Sequence, residues 1–188
     1  MKEYLKETRS INYSHPLVQE KIKELQKQSN SSLEYAQKAY EFVRDQISHT
    51  WDMRSNIVSK NASDVLKNQT GICWTKSCLL AALLRGNGIP SGISYQRLTR
   101  LDDASDGYIL HALNTIYIQN QWIRVDARGN KENVHAQFCI NQEILAFPIR
   151  KEYNEIDYRN NSTDLDSRLV EILEKSANIL DVRADFDY

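Results

Sequence analysis

Apolar residues recur at helical spacing through the first half of the chain and crowd into strand-like runs through the second. Leu17, Val18, Ile22 and Leu25 share one face of a helix that Ser14 and Pro16 can start and Ser29-Asn30-Ser31 breaks. Ser31-Ser32-Leu33-Glu34 has the form of a capping box. The stripe behind it, Leu33, Ala36, Ala39, Tyr40, Val43 and Ile47, widened by Tyr35 and Phe42, predicts a second helix to about Ser48. Ser63-Asp64-Val65-Leu66 predicts a short third helix. A fourth, from about Cys73 to Arg85, holds no Gly or Pro, and its Cys78–Leu84 run is apolar all round, as in a helix enclosed on most sides. Thr70-Gly71 reads as the turn into it, with Thr70 as N-cap. Gly86, Gly88 and Pro90 read as its stop.

Beyond Pro90 the texture changes. Ile93 to Leu98 reads as a strand and Asp102 to Gly107 as a loop. His111 to Ile118 and Trp122 to Asp126 read as two strands that Asn120-Gln121 can join. Ala136 to Ile140 is a further strand candidate. Asp164 to Leu180 predicts a last amphipathic helix, with Leu165, Leu169, Ile172, Leu173 and Ile179 or Leu180 inward. Residues 1–13 read as an extended lead-in. Helices, then strands, then one helix predict a single α+β domain over residues 1–188, the Cys73 helix and its N-terminal neighbours packed on an antiparallel sheet.

Composition narrows the function classes. The 188 residues are 41% hydrophobic and 26% charged, with a formal net charge of -1. No overall field therefore points to nucleic acid or an anionic membrane as partner. The longest apolar run is far too short to span a bilayer, and the charged first residues do not resemble a signal peptide. Cys73, Cys78 and Cys139 are odd in number and lack zinc spacing, so no metal is expected. Cys73 and Cys78 point in different directions on one helix and should not form a disulfide. Free thiols in an unsignalled chain predict a reducing cytoplasm.

Cys73 falls in the first turn of its helix, where the macrodipole favours thiolate over thiol. A thiol nucleophile needs a base, and the base needs a group to orient it. Of His15, His49, His111 and His135, His111 opens one predicted strand and Asp126 closes the next. An even-numbered loop puts the two on one face. A turn at Asn120-Gln121 sets Asp126 opposite Thr115, a loop centred on Ile118-Gln119 sets it opposite His111, and a loop from Ile118 to Gln121 makes the two diagonal neighbours, roughly 7–8 Å apart. Plainer readings stand beside these. A cysteine ahead of an apolar helix also fits a buried thiol, and Asp126-Ala127-Arg128-Gly129 also fits a turn capped by its aspartate. Cys78 reads as core, and Cys139 has no partner that suggests chemistry.

Taken together these residues resemble the transglutaminase-like superfamily in its bacterial and archaeal branch. The matching text is Gly71-Ile72-Cys73 with the buried helix, Arg85-Gly86-Asn87-Gly88-Ile89-Pro90, His111-Ala112-Leu113-Asn114 and Gln121-Trp122-Ile123-Arg124-Val125-Asp126; Tyr40 to Ser48 resembles the helix before the family core. Leu113 departs from the family, standing where many members have Trp. The resemblance implies a papain-like α+β fold, a core over about residues 33–130, and a catalytic triad of Cys73 as nucleophile, His111 as base and acid, and Asp126 as orienting carboxylate. It implies acyl transfer through a thioester without cofactor on a peptide or protein substrate, hydrolysis rather than cross-linking. An arylamine acyltransferase would share the triad, and a slow or non-catalytic peptide-binding domain would share the cleft. The Cys73 backbone N–H is the default oxyanion donor. Trp51 can add its indole N–H, with His49 and Gln46 as rivals.

Overall fold

The computed structural model describes residues 1–100 and 105–182. Four helices come first: α1 (Pro16–Lys27), α2 (Ser32–Glu41), α3 (Ala62–Asn68) and α4 (Cys73–Gly86). Two short strands, β1 (Ser48–His49) and β2 (Thr70–Gly71), pair in parallel between them. An antiparallel sheet follows, of β3 (Ser91–Thr99), β4 (Tyr108–Ile118), β5 (Gln121–Val125) and β6 (Ile156–Asp157), in the order β5-β4-β3-β6. Helix α5 (Ser167–Lys175) closes the domain. The α+β prediction holds. No helix among the described residues is long and apolar enough to cross a membrane.

Helix α4 is the centre of the core. Every residue from Trp74 to Arg85 is buried, between α1, α2 and α3 on one side and β3 and β4 on the other. Each buried leucine contributes roughly 1.5–3 kcal/mol, which outweighs the cap of about 1 kcal/mol that α4 lacks at its N-terminus. The Ile22 side chain of α1 packs so close that a Cβ on Gly86 would collide with its Cδ1. Arg85 donates to the carbonyls of Ser91, Lys6 and Thr163. Its place in the Arg-x-x-Gly-Ile-Pro text is thereby explained as a structural tie.

Several local expectations are corrected. Thr70 is not the cap of α4: it lies in β2, its hydroxyl bonded to Ser48 O and Thr50 Oγ1, and the N-cap position is Ile72. The second helix stops at Glu41 and continues as a π-helical turn over Phe42–Gln46. The carbonyls of Arg44 and Ile47 accept from the Lys76 ammonium of α4, and a group that takes helix carbonyls perturbs the ladder. The lead-in contains a 3-10 turn at Lys2–Leu5. His15, not Ser14, caps α1, and Leu17 is exposed. The turn joining β4 and β5 is Gln119-Asn120, both with positive φ, rather than Asn120-Gln121. Ala136 to Ile140 makes one bridge, Gln137 to Ile144, and no strand. Helix α5 is shorter than expected at both ends; Asp166 caps it, and Ile179 is buried in a separate 3-10 turn while Leu180 is exposed. In the predicted Asp102–Gly107 loop, Asp102 to Ala104 lie outside the described residues.

Candidate active site

Short-range braces bring Cys73, His111 and Asp126 to one place. Thr50 N–H donates to Gly71 O at 3.1 Å, and the β1–β2 ladder sets His49 beside Gly71, two residues before Cys73. The Trp74 indole N–H donates to Leu110 O at 2.6 Å. The residue after Cys73 is thus tied to the residue before His111. From β4–β5 pairing of Val125 with Asn114, Asp126 continues to a position opposite Leu113, diagonal to His111 on the same face. Of the three registers open in the sequence, the diagonal one is realised, through a two-residue turn.

His111 and Asp126 are buried, and His111 Nε2 lies 2.7 Å from Asp126 Oδ2. Two backbone donors aim the carboxylate, Arg128 N–H to Oδ1 and Ala146 N–H to Oδ2, each at 3.1 Å. Burial alone would raise the Asp126 pKa, but the adjoining imidazolium and these N–H groups hold it below the usual carboxylate range. For His111 burial works downward, and the charge of Asp126, then that of Cys73, overrides it and raises the pKa to about 10. Cys73 and His111 line the same cleft. With Nε2 held by Asp126, the Nδ1 edge is the one left for the thiol.

The surroundings were not legible as motifs. The Phe147 ring stands edge-on to His111 at 5.2 Å between centroids. It gives His111 an aromatic neighbour, and Leu113 is fully buried. Arg128 makes a two-pronged ion pair with Asp52 at 2.6 and 2.9 Å, joined by Lys131. Burial would raise the Asp52 pKa, but these cations bring it down to about 2. Lys76, buried one turn behind Cys73, has its pKa lowered to about 7, by burial first and then by Arg128. Nothing in its sequence context marks it, because its partners are backbone carbonyls.

Cys73 and His111 open on a cleft of about 80 Å³, walled by His49, Trp51, Phe147 and Val182. Trp51 does reach the cleft, but its indole N–H donates to Ile179 O at 3.2 Å, which leaves the expected oxyanion donor occupied. Gln46 is exposed on another face, beside Glu24 and Gln28. His15 caps α1 and His135 is exposed. Cys78 is fully buried and, as expected, belongs to the core, while Cys139 is half-buried and unpaired. A larger groove of about 1000 Å³ crosses the sheet near Phe147. There Arg124 is already paired with Glu143 and Asp157.

The family model of the transglutaminase-like superfamily matches residues 19–127, more than half of the chain. The chain belongs to the transglutaminase-like superfamily. Its fold is the papain-like α+β fold of that superfamily, and the match ends one residue past Asp126. A similar solved structure, a candidate cysteine protease from Cytophaga hutchinsonii, shares 21% identity with a TM-score of 0.54, over 66% of this chain and 40% of that one. Another, a TGase, shares 15% identity with a TM-score of 0.47, over 82% of this chain and 44% of that one. This superfamily member thus spans less than half the length of either. No curated protein matches it.

Proposed function

We propose that the chain is a cysteine-nucleophile acyl-transfer enzyme acting on peptide or carboxamide groups, with Cys73, His111 and Asp126 as its triad. The observation that supports this reading is that His111, held at 2.7 Å by Asp126, lines one cleft with Cys73. A histidine so flanked stays protonated at neutral pH and can serve a thiolate as its partner. The Cys73 thiolate attacks the carbonyl carbon, and the C–S bond forms as the carbonyl electron pair moves onto oxygen. Collapse expels the amine, which takes its proton from His111, and leaves a thioester. His111, now neutral, takes a proton from water as the water adds to the thioester. Collapse then breaks the C–S bond, restores the thiolate and frees the acid. Hydrolysis is proposed over cross-linking, water being the smallest acceptor for a cleft of about 80 Å³.

That same small volume favours a second reading, a slow or non-catalytic domain that binds peptides at the cleft. One experiment separates the readings. Wild type and Cys73→Ala are incubated with a mixed peptide library and a dansylated primary amine, and new amino termini, released ammonia and incorporated amine are measured. The proposal expects new termini or ammonia from wild type alone and little incorporated amine. Turnover retained by Cys73→Ala would refute the nucleophile. Dominant amine incorporation would refute hydrolysis. Peptide binding without turnover would establish the second reading.

A further inference from the structure

The first turn of α4 has no side-chain cap, so its leading N–H groups are left for whatever occupies the cleft. A tetrahedral intermediate at Cys73 needs at least one more donor for its oxygen, and Trp51, whose N–H is engaged by Ile179, is not free to be it. His49 stands in the same wall. Its side chain lines the cleft with Cys73 and His111, it is only 9% exposed, and its Nδ1 is sealed from solvent without a hydrogen-bond partner. Pairing of β1 with β2 fixes it opposite Gly71 at the entry to α4, and the Trp51 ring stands edge-on at 6.4 Å to hold its plane. We infer that His49 is the second oxyanion donor, presenting its Nε2–H to the carbonyl oxygen beside the backbone N–H of Cys73. This rests on the acyl-transfer reading above.

Tautomer and charge both follow from the surroundings. A neutral imidazole carries one N–H and one lone pair. A buried lone pair without a partner costs less than a buried N–H without one, so the sealed Nδ1 carries the lone pair and Nε2 carries the proton. Burial, and then the positive charges of Arg128, Lys76 and His111, hold the His49 pKa well below its ordinary value; Asp52 pulls the other way and is outweighed. His49 therefore stays neutral beside the imidazolium of His111, and the two rings do not exchange roles. One is fixed as a donor and the other as an acid.

Two reagents separate this role from the nucleophile itself. Alkylation of Cys73 by iodoacetamide requires a thiolate but develops no oxyanion. Acylation by p-nitrophenyl acetate passes through one, and its leaving group needs no proton from His111. The full chain is compared with His49→Phe, which keeps ring bulk without an N–H, and with His49→Gln, which restores a donor. His49→Phe should be alkylated at close to the wild-type rate yet show a p-nitrophenolate burst slower by about 10²-fold, the usual effect of one oxyanion donor. His49→Gln should recover most of that loss. An undiminished burst in His49→Phe would overturn the assignment. So would loss of alkylation in His49→Gln, since His49 would then act on the thiolate pair. Wild-type Cys73 alkylated no faster than Cys139 would overturn the acyl-transfer reading and this one together, an outcome visible before any His49 variant is measured.

Discussion

At the C-terminal end of α4, Arg85 donates to three carbonyls from three separate segments, and the N–H groups of Gly88 and Ile89 close the last turn onto Arg85 O and Leu84 O at 2.9 Å. At the N-terminal end no side chain caps the helix, and Cys73 stands half-buried at the cleft. One end is tied wherever it can be tied; the other is held from the side, by Trp74 on Leu110 O and by Lys76 on the carbonyls of Ile47 and Arg44. A nucleophile needs a fixed position and open neighbours. For the nucleophile proposed at Cys73, the bracing sits one and three residues on, at Trp74 and Lys76, and Arg85 anchors the far end.

The comparison can be broken from either side. The largest effect should come at the reactive end. Asp126→Asn removes the charge that most raises the His111 pKa, so acyl transfer should fall by roughly 10²–10⁴-fold. The alkaline limb of its pH profile should move down from near 10 towards the ordinary histidine range. Chromogenic-ester kinetics between pH 5 and 11 would measure both, and an unmoved limb would count against Asp126 as the partner. At the tied end Arg85→Met keeps the bulk but strands buried carbonyls. It should cost about 3 kcal/mol in urea unfolding while leaving the alkylation rate of the folded protein unchanged. A stability loss under about 1 kcal/mol would show that water replaces the guanidinium. The smallest effect belongs outside both ends. Trp122 packs edge-on against Tyr4 and Tyr117 but is 37% exposed. Trp122→Ala should therefore cost near 1 kcal/mol rather than the 3–5 kcal/mol of a buried ring, read from the same unfolding curves.

Legibility followed the range of the forces involved. The helices α1 to α4 and the β4–β5 hairpin could be read because periodicity and capping are local signals. The order Cys73, His111, Asp126 could be read because Cys73 opens α4 and Asp126 follows the end of β5; His111, expected to open its strand, lies three residues inside β4. Thr70 misled because its strand pairing is with Ser48, which local composition cannot reveal. The second helix passes into a π-helical turn after Glu41, and at the end of that turn an ammonium about thirty residues away takes the carbonyls of Arg44 and Ile47, a contact that local periodicity cannot show. The turn slipped by one position because no glycine marks it; Gln119 and Asn120 adopt positive φ under the demand of the strands. Phe147 and Ala146 carry no motif, yet they shape the histidine's surroundings. Gly129 is a milder case: its φ is +114°, and a Cβ there would press on Arg44 O and Lys76 Nζ; only its place after Asp126 hints at this.

The central claim is that Asp126 and Cys73 together keep His111 protonated at the reactive end of α4. The ¹⁵N shifts of the His111 ring, followed from pH 5 to 11, test it most directly. Both nitrogens should remain protonated through pH 8, with the transition near 10. A transition at or below the ordinary histidine value of about 6.5 would contradict the account.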